Sequence, residues 1–437
     1  MLEDRFGLPL STESEDAGAA YVAGLDLLLS ANLGCGEELA NAIALDPNFA
    51  LAHAAEARLW QMAAQPERAS EAMARAETLA AGTSEREQAH IEITALVISG
   101  QGKDAFTNLT THLETFPRDA LPLSYTLGVY GLLGFSGRTD HHEAQRNLLD
   151  QLAPAWGDDW WFKTYQGWAH IEAGNPAGGL EMLETARAGN RRNGHLAHAL
   201  SHGYYELGEI AEGDAFLTDW LPDYGTQSPL YNHLSWHHAL LKLAAGDIEV
   251  AEALYDTRIR PGAATAIPIF RLVDFASFQW RRKVLGHALD TADLQENAAY
   301  TRENFPKPGL GFVNIHIALV LAAAGEGAAL EDHLAAVREM VTAGQQPPGQ
   351  VVVDICTGLA AYADEDWEIA ANRLAKAQNK MTRIGGSHAQ RDLLTDTLIS
   401  ALLKLGRREE AELEMKHRIE TRAPQFGVDW FEELAGE

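Results

Sequence analysis

Short hinges, most of them a single glycine, recur along the chain and separate segments that carry the apolar spacing of α-helices. The hinges fall at Gly174, Gly208, Gly246, Gly325, Glu365 and Gly406. The first three are 34 and 38 residues apart, and the last three are 40 and 41 residues apart. A pair of helices this short cannot bury its apolar face alone, so a chain built from such pairs must stack them against one another. The spacing therefore predicts a stacked array of helical hairpins.

One hairpin near the N-terminus can be followed in detail. Asp46-Pro47-Asn48 precedes a helical pattern over residues 50–64, Gln65-Pro66 forms the turn, and a second pattern runs over residues 67–80. Aspartate before a helix and proline in its first turn are typical start signals. Runs of β-branched residues are rare, so few strands are expected. The sequence predicts an all-α fold of tandem helix-turn-helix, tetratricopeptide-like repeats that form a right-handed α-solenoid.

The sequence shows no clear domain boundary. No stretch rich in proline, serine and glycine marks a linker, and no low-complexity tract interrupts the hairpins. A single helical-repeat array over residues 1–437 is therefore predicted. The alternative is two half-arrays, residues 1–295 and 311–437, that meet in the segment between them.

The charge balance excludes some partners. The chain has 62 acidic and 34 basic residues, a formal net charge of −28, which repels phosphate groups. We therefore expect neither nucleic acid nor an anionic membrane surface as a partner. Cys35 and Cys356 are too far apart in sequence for a CxxC motif, and the chain starts without a basic, apolar leader. A reducing, cytoplasmic location is expected.

Histidine is concentrated near the middle of the chain. Six histidines fall within 44 residues, at positions 195, 198, 202, 233, 237 and 238. At 100° per residue, His195, His198 and His202 lie on one helical stripe, and His233 and His237 lie on another. The first helices of successive hairpins lie side by side in such arrays, so both stripes are expected to face one pocket.

Two kinds of chemistry fit these stripes. Imidazoles four residues apart suit a divalent metal ion, with His198, His202, His233 and His237 as candidate ligands. The same groups could act as general acids and bases without a metal. Histidines packed between helices and bonded to carboxylates are the structural alternative. By contrast, His141-His142-Glu143 is expected to form only a solvated helix start.

Five segments are more specific than ordinary repeat positions. They are His198-Ala-Leu-Ser-His202, His233-Leu-Ser-Trp236-His237-His238-Ala-Leu, Asp274-Phe-Ala-Ser277-Phe-Gln-Trp280-Arg281, Asn314-Ile-His316, and Gly385-Gly386-Ser387-His388-Ala389-Gln390-Arg391-Asp392. Together they resemble the tetratricopeptide repeat protein 38 family, nearly end to end. The resemblance implies the helical-repeat fold, and it carries over His198, His202, His233, Trp236, His237, His316 and His388 as family-like positions. Gly194-His195-Leu196-Ala197 departs from the family's Trp-Ala, so His195 is an individual addition.

Two functions follow as hypotheses. The first is a repeat protein that binds a small molecule or peptide in a concave pocket, contacted by His195, His233, Trp236, His316, Arg391 and Asp392. The second is an enzyme, a hydrolase or lyase acting on a small metabolite, with His198, His202, His237 and His388 as catalytic candidates. Histidine and tryptophan suit a peptide clamp less well than the lysine, arginine and asparagine of peptide-binding repeats.

Overall fold

The structure, a computed structural model, describes residues 2–421, and within that range nearly all regular structure is α-helical. Two short strands, β1 (Leu2–Glu3) and β2 (Pro9–Leu10), pair antiparallel ahead of the helices. The helices of the N-terminal half are α1 (Glu15–Leu29), α2 (Cys35–Leu45), α3 (Ala50–Met62), α4 (Pro66–Ala80), α5 (Glu85–Ile98), α6 (Gly102–Thr115), α7 (Ala120–Ser124), α8 (His141–Trp156), α9 (Trp160–Glu172), α10 (Pro176–Gly189) and α11 (Gly194–Leu207).

The second half continues in the same manner. Its helices are α12 (Ile210–Tyr224), α13 (Tyr231–Ala244), α14 (Ile248–Leu254), α15 (Pro268–Val284), α16 (Thr291–Asn304), α17 (Gly311–Ala323), α18 (Gly327–Thr342), α19 (Gln350–Ala363), α20 (Trp367–Gln378), α21 (His388–Lys404) and α22 (Arg408–Thr421). A π-helical turn, Tyr255–Ile259, follows α14, and a 3-10 turn, Met381–Ile384, precedes α21. The predicted class, all-α with tandem helix-turn-helix repeats of tetratricopeptide-like type, is confirmed.

The predicted hinges share one turn geometry. All five hinge glycines have φ between 69° and 86°, and Glu365 adopts φ 61° in the same role. The residue after each hinge donates its N–H to the carbonyl five residues back, as Asn175 does to His170 at 2.9 Å. This bond satisfies a carbonyl left open at the end of the first helix. A left-handed residue at the hinge thus ends one helix and starts its return partner.

The chain forms two compact units. The first contains the chain up to Leu132, together with Gln145–Gln166 and Met182–Leu196, and the second contains Leu133–Ala144, Gly167–Glu181 and the chain from Ala197 onward. Helices α8 to α11 each contribute residues to both units. The continuous array over residues 1–437, and the alternative halves 1–295 and 311–437, stay predictions.

The first unit contains a buried ionic cluster around Asp119, just before α7. The Asp119 carboxylate accepts hydrogen bonds from Arg86 at 3.2 Å and from His90 and His112 at 2.9 Å each. Arg86 also donates to the carbonyl of Pro9 at 2.7 Å. Burial alone would raise the pKa of Asp119, but His90, His112 and Arg86 hold it far below its usual range. The cluster joins α5, α6 and the N-terminal strands.

The second unit is built around helices that are buried on nearly all sides. Helices α13, α15, α17, α19 and α21 pack in succession, and α21 also packs against α15. Their interior contains the fully buried rings of Trp236, Trp280, Phe275 and Phe312. Every residue of α13 from Tyr231 to Leu241 is buried, including His233, His237 and His238. Polar side chains on such a helix need partners inside the protein.

No helix among residues 2–421 is both long and apolar enough to cross a membrane.

Candidate functional site

Four imidazoles from two helices meet inside the second unit, and we call them the four-histidine group. His198 and His202 lie one turn apart on α11, and His233 and His237 lie one turn apart on α13. The ring of His237 is 4.6–5.0 Å from those of the other three, measured between centroids. The Nε2 atom of His198 lies 3.0 Å from Nε2 of His202 and 3.1 Å from Nε2 of His233. The Nε2 atoms of His202 and His233 therefore both approach that of His198, and one donor nitrogen each from His198, His202 and His237 lie within 4.8 Å of one another.

Two buried carboxylates hold the opposite nitrogens of this group. Oδ1 of Asp274, on α15, lies 2.8 Å from Nδ1 of His233 in a hydrogen bond. Oε1 of Glu172, the last residue of α9, lies 2.8 Å from Nδ1 of His202, away from the direction of an ideal hydrogen bond. A carboxylate on Nδ1 fixes the ring's orientation and directs Nε2 toward the centre of the group.

The electrostatics of the group reflect its burial. His202, His233 and His237 are each at most 2 % exposed, and His198 is half-buried. Burial, followed by the neighbouring His202 and His233, holds the pKa of His237 well below its usual range. Burial raises the pKa of Asp274, partly offset by His233. For Glu172, burial alone would raise the pKa, but His388 and His202 lower it well below the ordinary value.

A second group of polar side chains shares Glu172. Oε2 of Glu172 accepts the backbone N–H of His388 at 3.0 Å and lies 3.7 Å from Nε2 of His142. Arg391 donates to the same His142 nitrogen at 3.1 Å and also to the carbonyls of Gly385 and Gly386. Glu172 is thus the carboxylate that connects the four-histidine group to the start of α21.

His141 and His142 are therefore not a solvated helix start, and that prediction was wrong. Both side chains are buried because α8 begins against the 3-10 turn before α21, where His141 Nε2 lies 3.1 Å from the carbonyl oxygen of Thr382. Burial, followed by the charge of Arg391, lowers the pKa of His141 to about 4 and holds the pKa of His142 well below its ordinary value.

An open cleft of about 610 Å³ adjoins this second group. Its walls combine five carboxylates with four basic side chains. The charged and imidazole residues that line it are Glu143, Glu172, Glu206, Asp392, Glu414, His388, Arg391, His417 and Arg418. The His388 ring is one-quarter exposed, and its Nδ1 lies 3.4 Å from Oε2 of the buried Glu206. His388 is therefore an accessible imidazole oriented by a carboxylate.

The other predicted site residues lie in different environments. Trp236 is fully buried and stacks on His233, with ring centroids 5.3 Å apart. Asp392 lines the cleft and accepts the Tyr205 hydroxyl at 3.0 Å.

His316 and His195 lie outside both histidine groups. Nδ1 of His316 lies 2.8 Å from the Phe312 carbonyl of its own helix. His195 belongs to the first unit, where its ring lies 5.5 Å from Tyr165. Of the predicted residues, the structure thus brings together the four-histidine group and, separately, His388, Arg391 and Asp392.

None of the carboxylates that organise the site was among the predicted site residues. Asp274 stands in one of the family-like segments and Glu206 continues the His198–His202 stripe, so both carried a signal. Glu172 carried none, because it stands alone at a helix end.

Comparison with known protein families gives no match to the chain. Among solved structures, the chain is similar to the crystal structure of the P58(IPK) TPR domain, with 14% sequence identity over 92% of this chain and 99% of that one, at a TM-score of 0.20. This similarity is too weak to support a conclusion about fold or function. The helical-hairpin architecture is established by the chain's own helices. Fold and site together define a helical-repeat protein with a buried histidine group beside a charged cleft.

Proposed function

We propose that this protein binds a small polar molecule in the cleft beside α21, with His388 and Arg391 among its contacts. The observation that carries the proposal is the cleft itself, whose walls hold an accessible, carboxylate-paired imidazole. Its volume of about 610 Å³ falls within the range of small-molecule sites, roughly 300–1,000 Å³. Size therefore favours a small molecule over a peptide.

The charges on the walls indicate the ligand's chemistry. Carboxylates and basic groups stand on the same walls, so a ligand with both positive and negative groups would find a partner for each. A net charge of −28 disfavours nucleic acid and anionic membranes as alternatives. Membership of the tetratricopeptide repeat protein 38 family is part of the same proposal, supported by the five segments quoted above.

The test is direct binding. Full-length protein would be screened by thermal shift against amino acids, organic acids and sugar phosphates, and hits would be measured by calorimetry. We expect His388→Ala to weaken binding of a hit at least tenfold. His287→Ala, a histidine on the turn after α15 and away from the cleft, is the matched control. A hit whose affinity is the same in wild type and His388→Ala would place the ligand elsewhere and contradict the proposal.

A second candidate function is an enzyme, a hydrolase or lyase acting on a small metabolite. The pairing of His388 with Glu206 favours it, because a carboxylate on one imidazole nitrogen orients the other for proton transfer. p-Nitrophenyl acetate and p-nitrophenyl phosphate are suitable first hydrolase probes. We expect Glu206→Gln to lower kcat and alter the pH–rate profile, while leaving affinity for a non-reacting analogue nearly unchanged. Equal turnover in wild type, Glu206→Gln and His388→Ala would reject this candidate.

A further inference from the structure

We propose that the four-histidine group is a metal site, in which the Nε2 atoms of His198, His202, His233 and His237 bind one divalent transition-metal ion, Zn²⁺ in the first instance. The inference goes beyond the proposed ligand binding and does not depend on it, because none of the four histidines lines the cleft, although Glu172 borders both.

Spacing is the first argument. Zinc–nitrogen distances of 2.0–2.1 Å in a tetrahedral site place neighbouring ligand nitrogens about 3.3–3.4 Å apart. The two measured Nε2–Nε2 separations, 3.0 and 3.1 Å, are close to that value. A donor atom of His237 lies within 4.8 Å of those of His198 and His202, and His233 adjoins this trio through His198. Two pairs four residues apart, on two helices, thus supply three grouped imidazoles and a fourth, His233, next to them.

Hydrogen bonding between these rings satisfies only part of the arrangement. Nε2 of His198 lies at hydrogen-bond distance from two other Nε2 atoms at once. An imidazole nitrogen has a single in-plane site, which holds either a hydrogen or a lone pair. It therefore makes one good hydrogen bond, and the second neighbouring ring must share the same hydrogen or lone pair in a weaker, bent contact. A cation at the centre accepts all the lone pairs and removes this conflict.

His237 supplies an independent argument. Its Nε2 is buried and has no hydrogen-bond partner among the described residues. A buried polar atom without a partner costs stability, about 1–3 kcal/mol, so such atoms are rare unless something binds them. The His237 ring lies 4.6–5.0 Å from the other three rings, so a cation held among them could accept its lone pair.

The surrounding groups indicate a single ion of a particular class. Imidazole nitrogens suit Zn²⁺ and its first-row neighbours, whereas Mg²⁺ and Ca²⁺ prefer oxygen. Asp274 and Glu172 on the opposite ring nitrogens are the outer partners that metal-binding histidines usually have.

A second possible cation site is disfavoured. His142, Glu172 and His388 also approach one another, but the Arg391 guanidinium already lies 3.1 Å from His142 Nε2. A second cation there would be repelled, so the expected stoichiometry is one.

The experiment uses full-length protein with any histidine tag removed. The protein is stripped with chelator, reloaded with Zn²⁺ in competition with a chromophoric chelator, and analysed for zinc content. X-ray absorption of the loaded wild type reports the ligand atoms directly and needs no variant. The variants are His198→Ala, whose half-buried position makes it the mildest change to the fold, His237→Ala, and Asp274→Asn, with His287→Ala as control.

We expect one zinc per chain and a four-nitrogen imidazole shell. Affinity should fall at least a hundredfold in His198→Ala and His237→Ala, and roughly 10–100-fold in Asp274→Asn, which leaves all four ligands in place. His287→Ala should bind as wild type does. Wild type that retains no zinc, a shell containing sulfur or mainly oxygen, or unchanged affinity in both histidine variants would each overturn the proposal.

Discussion

The Asp119 cluster offers the sharpest test of how this fold is held together. Asp119→Asn keeps the side-chain shape but removes the charge that Arg86, His90 and His112 all face. Asp119 is 4 % exposed, so solvent cannot compensate its three partners. Breaking one side of a buried ionic pair typically costs about 3–5 kcal/mol, and hydrogen bonds to charged groups contribute about 1.5–3 kcal/mol each without adding fully. We expect a loss of about 3–5 kcal/mol in the free energy of unfolding.

The assay is urea unfolding at neutral pH followed by circular dichroism, with hydrogen exchange of α5 and α6 to locate the loss in the first unit. Asp140→Asn is the matched control, because Asp140 also pairs with an arginine, but both partners are about half exposed. Exposed pairs contribute about 0–1 kcal/mol. If Asp119→Asn loses no more stability than Asp140→Asn, the reasoning about buried charge is refuted.

The stability contributed by the Asp119 cluster depends on pH in a definite direction. The pKa of Asp119 is lowered in the folded protein, so its contribution is complete above the unfolded pKa, about 3.9, and is lost as pH falls through the folded value. The stabilisation that wild type has over Asp119→Asn should therefore persist from neutral pH down to about 4 and be lost only in stronger acid.

Two further predictions concern the second unit. Gly386→Ala should cost about 1–3 kcal/mol and lower the melting temperature, because Gly386 has φ 77° and a Cβ there would stand 2.5 Å from Cε2 of Phe312. Gly406→Ala, with φ 73° and open space around it, isolates the backbone contribution, and equal losses in both variants would contradict a steric cause. His237→Ala should change the melting temperature of chelator-treated protein by only a few degrees, about 1 kcal/mol or less, since it removes a buried nitrogen that has no partner. Melts with and without chelator check this, and a large loss in metal-free protein would assign His237 a structural role.

Local signals were sufficient to predict the hairpins. A glycine hinge such as Gly174 needs only its own φ and the carbonyl of His170 to end a helix, so its effect can be predicted from a few neighbouring residues. The same holds for His198 with His202 and for His233 with His237, because four-residue spacing places two side chains on one helix face wherever that helix lies.

Longer-range relations could not be predicted in this way. Whether Glu172 meets His202, or Asp274 meets His233, depends on the register between packed helices, which no single segment encodes. The burial of His141 depends on the turn before α21, 241 residues further along the chain. Trp236 was predicted to line a pocket, and the structure places it fully buried against His233. From sequence alone, one face of a helix that is buried on all sides cannot be distinguished from a face that lines a pocket.

The pairing of carboxylates with imidazoles also has an evolutionary consequence. Asp274 is buried, and its one hydrogen-bond partner through Oδ1 is His233, while its Oδ2 has none among the described residues. A chain that lost His233 would keep a buried carboxylate that costs stability and serves nothing, and selection would then favour an apolar residue at position 274. Among descendants of a common ancestor, these two positions should therefore change together, so that the histidines and their carboxylates are inherited or lost as a set.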